Sequence, residues 1–81
     1  MKPGSFAYTH LFHVTYLRPR VSKPYQQLQG TMEMLNRGER VFVIATLPNE
    51  NDSGDDVCCV LVPRLNRVGY TWKERLIEDD T

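Results

Sequence analysis

Residues 41–47 read Val-Phe-Val-Ile-Ala-Thr-Leu, and residues 57–62 read Val-Cys-Cys-Val-Leu-Val. Both stretches are apolar at consecutive positions and rich in β-branched side chains, which is typical of strands buried on both faces. Residues 48–56 lie between them and are rich in Asn, Asp and Gly, as in a polar turn. Pro63 ends the second stretch because proline has no N–H to donate within a sheet. We therefore expect two buried strands joined by a polar turn.

An earlier strand is predicted over residues 8–17, where apolar and polar side chains alternate. Phe12, Val14 and Tyr16 share one face of this strand, and we expect Phe12 and Tyr16 to pack in the core. The following segment, Arg-Pro-Arg at positions 18–20, ends the strand because of its proline.

A helix is predicted over residues 22–37. A proline at position 24 suits a first helical turn, and Gly38 follows the segment as a stop signal. The apolar side chains in the segment recur at helical spacing: Tyr25, Leu28, Met32 and Leu35.

The C-terminal part predicts a tight reversal at 64–67, a strand at 68–71 and a short helix from about 72 to 77, before an acidic end. Together these elements predict one domain, residues 1–81, of the α+β class and mainly antiparallel β. The expected architecture is a small curled sheet or a partly open β-barrel with one or two short helices.

The charge of the chain is balanced overall and uneven along its length. Ten basic and ten acidic side chains give a formal charge of zero in 81 residues, which excludes a histone-like polycation. Residues 1–41 hold six basic and two acidic groups, a balance of +4, and residues 42–81 hold four and eight, a balance of −4. Such a chain can present a basic face to an anionic partner.

Cysteine usage indicates a reducing compartment. The two cysteines, Cys58 and Cys59, are adjacent, and neighbours in a strand point to opposite faces, so we expect no structural disulfide. There is no apolar run of the length that a signal peptide or a membrane span needs. We therefore expect a cytoplasmic protein with no membrane partner.

Several side chains are of the types that bind single-stranded nucleic acid. Arginine and lysine pair with phosphate and aromatic rings stack on bases. The phosphate candidates are Arg18, Arg20 and Lys23. The stacking candidates are Tyr16, Tyr25 and Trp72.

The order of motifs over about residues 38–75 resembles the HIRAN domain. A Gly38-Glu39 turn leads into an apolar strand, an Asn/Asp turn after a proline, a Val-rich strand, and then Val68-Gly69-Tyr70. This resemblance implies a barrel-type module that binds single-stranded DNA at a free 3′ end. It also implies which side chains face the terminal nucleotide: Asn49, Asn51, Asp52 and Tyr70.

The sequence predicts neither a catalytic site nor a metal or cofactor site. His10 and His13 are three residues apart, which places them on opposite faces of a strand, and no C-x-x-C motif accompanies them. A Ser-His-Asp signature and a Gly-rich phosphate loop are also missing. We therefore expect a non-enzymatic module without a cofactor.

A second interpretation of the same features is a small protein-binding inhibitor, for example a phage-encoded factor of anti-CRISPR type. In that case the acidic segments 50–56 and 78–80 would bind a basic protein or a nucleoprotein complex in the host, and exposed aromatic side chains would anchor it. A homodimer formed through an open strand edge is compatible with both interpretations.

Overall fold

A computed structural model describes residues 2–22, 27–48 and 56–79. These ranges contain nine strands and one 3-10 turn, Lys73–Arg75, between the last two strands. The strands are β1 (Phe6–Thr9), β2 (Thr15–Leu17), β3 (Arg20–Ser22), β4 (Gln27–Gln29), β5 (Glu33–Leu35), β6 (Arg40–Leu47), β7 (Val57–Val62), β8 (Arg67–Trp72) and β9 (Leu76–Glu78).

The main sheet has five antiparallel strands in the order β8-β7-β6-β1-β9. Two small sheets, β2-β5 and β3-β4, are also antiparallel. An isolated bridge between Arg18 and Tyr70 joins the end of β2 to β8. The described strands do not close into a barrel, and the expectation of a mainly antiparallel β fold is confirmed.

The core lies between the main sheet and β2-β5. Val41 and Val43 on β6 are fully buried, and so is Val60 on β7, which pairs with Val43. Leu17 and Leu35 cover this surface from the β2-β5 side and are 3% exposed. The paired positions of successive strands therefore form one continuous apolar layer, as alternation in a half-buried sheet requires.

The strands predicted at 41–47 and 57–62 are confirmed as β6 and β7, but β6 is not buried on both faces. Val41 and Val43 face the core, whereas Phe42 is half-buried and Ile44 is 41% exposed. The outer face is only partly covered, by an edge-to-face contact between Phe42 and Phe6 and by Arg40 stacked on Phe6. The predicted reversal is confirmed by the hydrogen bonds from Leu65 N to Val62 O and from Asn66 N to Pro63 O.

The helix predicted over 22–37 is wrong where the structure describes that segment. Residues 27–29 and 33–35 form β4 and β5, which pair with β3 and β2. Gly30 separates the two strands with a φ of +94°, in the left-handed region that glycine adopts readily. Long-range pairing with β2 and β3 thus overrides the helical spacing of the apolar side chains.

The strand predicted over 8–17 is divided in two, and the core positions assigned to it are wrong. The chain leaves β1 after Thr9, and β2 begins at Thr15. Phe12, between them, is 79% exposed, and Tyr16 on β2 is 41% exposed. The interruption follows from two hydrogen bonds at the end of β1: Thr9 Oγ1 donates to Asn36 O, and the next amide, His10 N, donates to Arg75 O.

The helix predicted from about 72 to 77 is also wrong, because only one 3-10 turn forms there. Leu76 and the two residues after it pair with β1 as the edge strand β9. Cys58 is buried and Cys59 is half-buried, and no disulfide joins them. In the described part of the chain, no helix has both the length and the hydropathy needed to cross a membrane.

Candidate nucleic-acid interface

A cavity of about 220 Å³ lies where β2 meets the end of β8. Its wall combines aromatic, basic and apolar side chains from four parts of the fold. The described residues that line it are Val14, Tyr16, Arg18, Leu28, Met32, Thr71, Trp72 and Arg75. We call this cavity the β2-β8 groove.

The backbone bridge between Arg18 and Tyr70 fixes the register of the groove. Arg18 N donates to Tyr70 O at 2.9 Å, and Tyr70 N donates to Arg18 O at 2.7 Å. Continued in the same antiparallel register, this bridge places Tyr16 opposite Trp72. Side chains of directly paired residues share a face and lie within contact range, so two aromatic rings and one guanidinium group are held on the same side of the β2-β8 junction.

The guanidinium group of Arg18 has an unsatisfied donor. Arg18 Nε is buried and has no hydrogen-bond partner among the described residues. A buried donor left unpaired costs about 1–3 kcal/mol, and more when it is charged. Arg18 also lines the groove, and guanidinium groups pair strongly with oxygen-bearing anions.

Arg75 is the second basic residue of the groove, and its backbone carbonyl accepts two hydrogen bonds. Arg75 O accepts a hydrogen bond from His10 N at 3.0 Å and a longer one from Thr15 Oγ1 at 3.4 Å. The described lining residues of the groove include two arginines and no acidic residue. The local electrostatics therefore favour an anionic ligand in a chain whose net charge is zero.

A second cavity of about 370 Å³ adjoins the groove and shares Met32 with it. This cavity has an apolar floor that includes Leu17, Pro19 and Val68. Arg67 also lines it and forms an ion pair with Glu33. The two cavities therefore lie on either side of Met32.

The other predicted site residues are distributed as follows. Arg20 is exposed on β3 and is not among the described residues that line the groove. Tyr70 is half-buried. Burial raises the pKa of the neighbouring Cys59 thiol, and a hydrogen bond with the Tyr70 side chain opposes this rise.

Five predicted site residues lie outside the described residues: Lys23, Tyr25, Asn49, Asn51 and Asp52. Asp56 and Val57 follow Asn49, Asn51 and Asp52 in the sequence and are described. Asp56 O accepts a hydrogen bond from Lys73 N at 2.9 Å, and Val57 pairs with Trp72. The start of β7 therefore lies beside Trp72.

No protein-family model, curated protein or solved structure matches this chain. The resemblance to the HIRAN domain stays a prediction, and the site is defined by its own residues.

Sequence reasoning named Arg18, Tyr16 and Trp72 as ligand-binding candidates but missed Arg75. Arg75 was missed because residues 72–77 were predicted to form a helix, and that prediction does not say whether Arg75 lies near β2. The signal in the sequence was the basic residue three positions after the only tryptophan.

Proposed function

We propose that this protein is a non-enzymatic module that binds single-stranded DNA in the β2-β8 groove. The observation that supports this most directly is the lining of the groove, which combines Arg18 and Arg75 with Tyr16 and Trp72 and has no acidic residue among the described positions. A guanidinium group supplies the phosphate contact, and aromatic rings supply base contacts that tolerate any sequence.

The size of the groove favours one base at a time. Its volume of about 220 Å³ is below the lower limit of about 300 Å³ for pockets that enclose drug-sized ligands. Stacking on an exposed aromatic side chain is worth about 1–3 kcal/mol per base. A strand that places one base against Tyr16 or Trp72 and continues past Met32 uses both adjoining cavities.

Recognition of a free 3′ end is the finer part of the proposal and rests on the HIRAN resemblance. The Asn and Asp side chains that the resemblance assigns to the terminal nucleotide lie between Pro48 and Asp56. Asp56 lies beside Lys73 and next to Trp72, which agrees with a terminal nucleotide at this end of the groove. The free thiols agree with a reducing, cytoplasmic setting.

The test is a fluorescence-anisotropy titration with a fluorescein-labelled oligothymidine. Trp72→Ala should weaken binding about ten-fold or more by removing a stacking surface, whereas Trp72→Phe should retain most of the affinity. Arg18→Ala should weaken binding and lower the slope of log K against log salt by about 0.7, the value for one phosphate contact on a single strand. Arg37→Ala, an exposed arginine outside the groove, is the matched control.

Three results would contradict the proposal: unchanged affinity of the Trp72→Ala and Arg18→Ala variants, equal weakening by Arg37→Ala, or weak binding that salt does not alter. The 3′-end component is tested separately by comparing oligonucleotides with a free and a phosphorylated 3′ hydroxyl. Equal affinity for both would remove end recognition and leave strand binding in place.

The second candidate function, a protein-binding inhibitor of anti-CRISPR type, is favoured by the exposed apolar face of β2-β5. Tyr16 pairs with Met34, and the two side chains are 41% and 63% exposed. Phe12, in the preceding bend, is the most exposed large apolar residue described. A stoichiometric host partner that survives nuclease treatment, and that is lost in Phe12→Ser and Met34→Ser but retained in Arg18→Ala, would support this function over DNA binding.

A further inference from the structure

A third cavity, of about 290 Å³, contains both histidines of the chain. The described residues that line it are His10, His13, Glu74 and Arg75. The centroids of the two imidazole rings are 4.6 Å apart. Arg75 lines this histidine cavity and the β2-β8 groove alike, so the two cavities are neighbours that share one basic residue.

The bend after β1 brings the two histidines to the same place, contrary to the opposite faces predicted for a continuous strand. Phe12 N donates to His10 Nδ1 at 3.1 Å. This hydrogen bond makes Nδ1 the acceptor, so Nε2 is the ring nitrogen of His10 that is left to donate to a ligand. The backbone of His10 is in turn bonded to Arg75 O, which fixes the histidine cavity relative to the groove.

We propose that His10, His13 and Arg75 form a second phosphate-binding subsite, which takes the next phosphate of a strand bound in the β2-β8 groove. The inference rests on the proposed function, because the groove supplies the rest of the strand. Imidazole and guanidinium N–H groups are the donors that a phosphate oxygen accepts most strongly when they are charged.

The charged residues that line the cavity with the two imidazoles are Glu74 and Arg75. The carboxylate of Glu74 repels a phosphate group and the charge of Arg75 attracts it. The imidazole N–H groups therefore add hydrogen-bond donors beside one pair of opposite charges.

The experiment is the same anisotropy titration at a single pH and salt concentration. The chain has two histidines, and the His10→Gln, His13→Gln double variant should bind about two- to ten-fold more weakly than the wild type, as expected for the loss of one hydrogen bond to phosphate. Glu74→Gln, which removes a negative charge from the lining of the cavity, should tighten binding.

A direct measurement complements the titration: the ring signals of both histidines in a ¹H–¹³C NMR spectrum should shift when the oligonucleotide is added.

Failure of the subsite and failure of the proposed function give different results. Binding that depends on Trp72, with wild-type affinity in the double variant, overturns the subsite alone. Loss of dependence on Trp72 and Arg18 overturns the groove itself.

Discussion

Gly69→Ala should separate β2 from β8 and thereby damage both the stability of the fold and the groove. Gly69 is buried, and a Cβ atom there would lie 2.6 Å from Leu17 Cγ, 2.8 Å from Leu17 Cδ1 and 2.9 Å from Arg18 O. All three distances are below van der Waals contact. The carbonyl of Arg18 cannot be moved by changing a side-chain rotamer, because it accepts the bridge hydrogen bond from Tyr70 N.

The expected cost is the upper part of the range for overpacking a core, about 2–3 kcal/mol. In a domain of this size 1 kcal/mol corresponds to about 4–8 °C in Tm, so a fall of about 8–24 °C is expected. The direction of the change in stability is informative. The φ of Gly69 is outside the left-handed region, and in an uncrowded site of that kind Gly→Ala stabilises a protein by about 0.4–1 kcal/mol through the unfolded chain.

Urea denaturation followed by the fluorescence of Trp72 measures this effect at the groove, and circular dichroism measures it for the whole fold. Val68→Ala is the control, because Val68 is the adjacent residue of β8 and is 50% exposed; its effect should stay below about 1 kcal/mol. A Gly69→Ala protein as stable as the wild type, or more stable, would refute the close packing of Leu17 and Arg18 against β8.

Three further predictions concern stability and thiol chemistry. The side-chain hydrogen bonds from Arg64 hold the pKa of Glu39 below its ordinary value although burial opposes this. The stabilisation of the fold by this pair is therefore present above about pH 4.3, the pKa of glutamate in the unfolded chain, and is lost as the pH falls through the folded pKa. Urea titrations between pH 6 and pH 3 should show a smaller loss of unfolding free energy in Glu39→Gln than in the wild type. Thr9→Val should cost about 1–3 kcal/mol in thermal unfolding, because the hydroxyl bonds Asn36 O and the amide of Glu39 and both would be left unpaired; an unchanged Tm would contradict this. Burial raises the pKa of the Cys58 thiol, so iodoacetamide should modify it at a rate that tracks unfolding in urea, and rapid modification of the native protein would be inconsistent with its position.

The central hairpin was predictable because its signal is local. β6 and β7 consist of consecutive β-branched and apolar residues, and these favour strands wherever they are placed. The reversal after Pro63 is also local, since it closes through hydrogen bonds between residues three apart. Such elements need little information from the rest of the chain.

The helix predicted over 22–37 fails for the opposite reason. β4 and β5 are three residues long each and are stabilised by pairing with β3 and β2. Short strands of this kind have too few residues for an alternating pattern to be recognised, and Leu28 and Leu35 at helical spacing also fit two separate strands. The outcome depends on long-range pairing, which a single sequence does not reveal.

The candidate site was predictable in its chemistry and less so in its geometry. Arg18 and Trp72 were chosen for their residue types, and the groove contains both. Arg75 and the pairing of His10 with His13 depend on where the chain bends after β1, and no sequence signal marked that bend. Arg20 was chosen by its closeness to Arg18 in sequence, but the structure places it outside the lining of the groove.

Backbone pairing of β2 with the main sheet consists, among the described residues, of the two hydrogen bonds of one bridge, whereas β6 and β7 share a long paired stretch. Free energies of local opening follow such differences, so the β2-β8 junction should open before the large sheet unfolds. Amide hydrogens of Arg18 and Tyr70 should then exchange with deuterium faster than those of Val43 and Val60. Opening along this junction separates Tyr16 from Trp72 while the central hairpin stays paired.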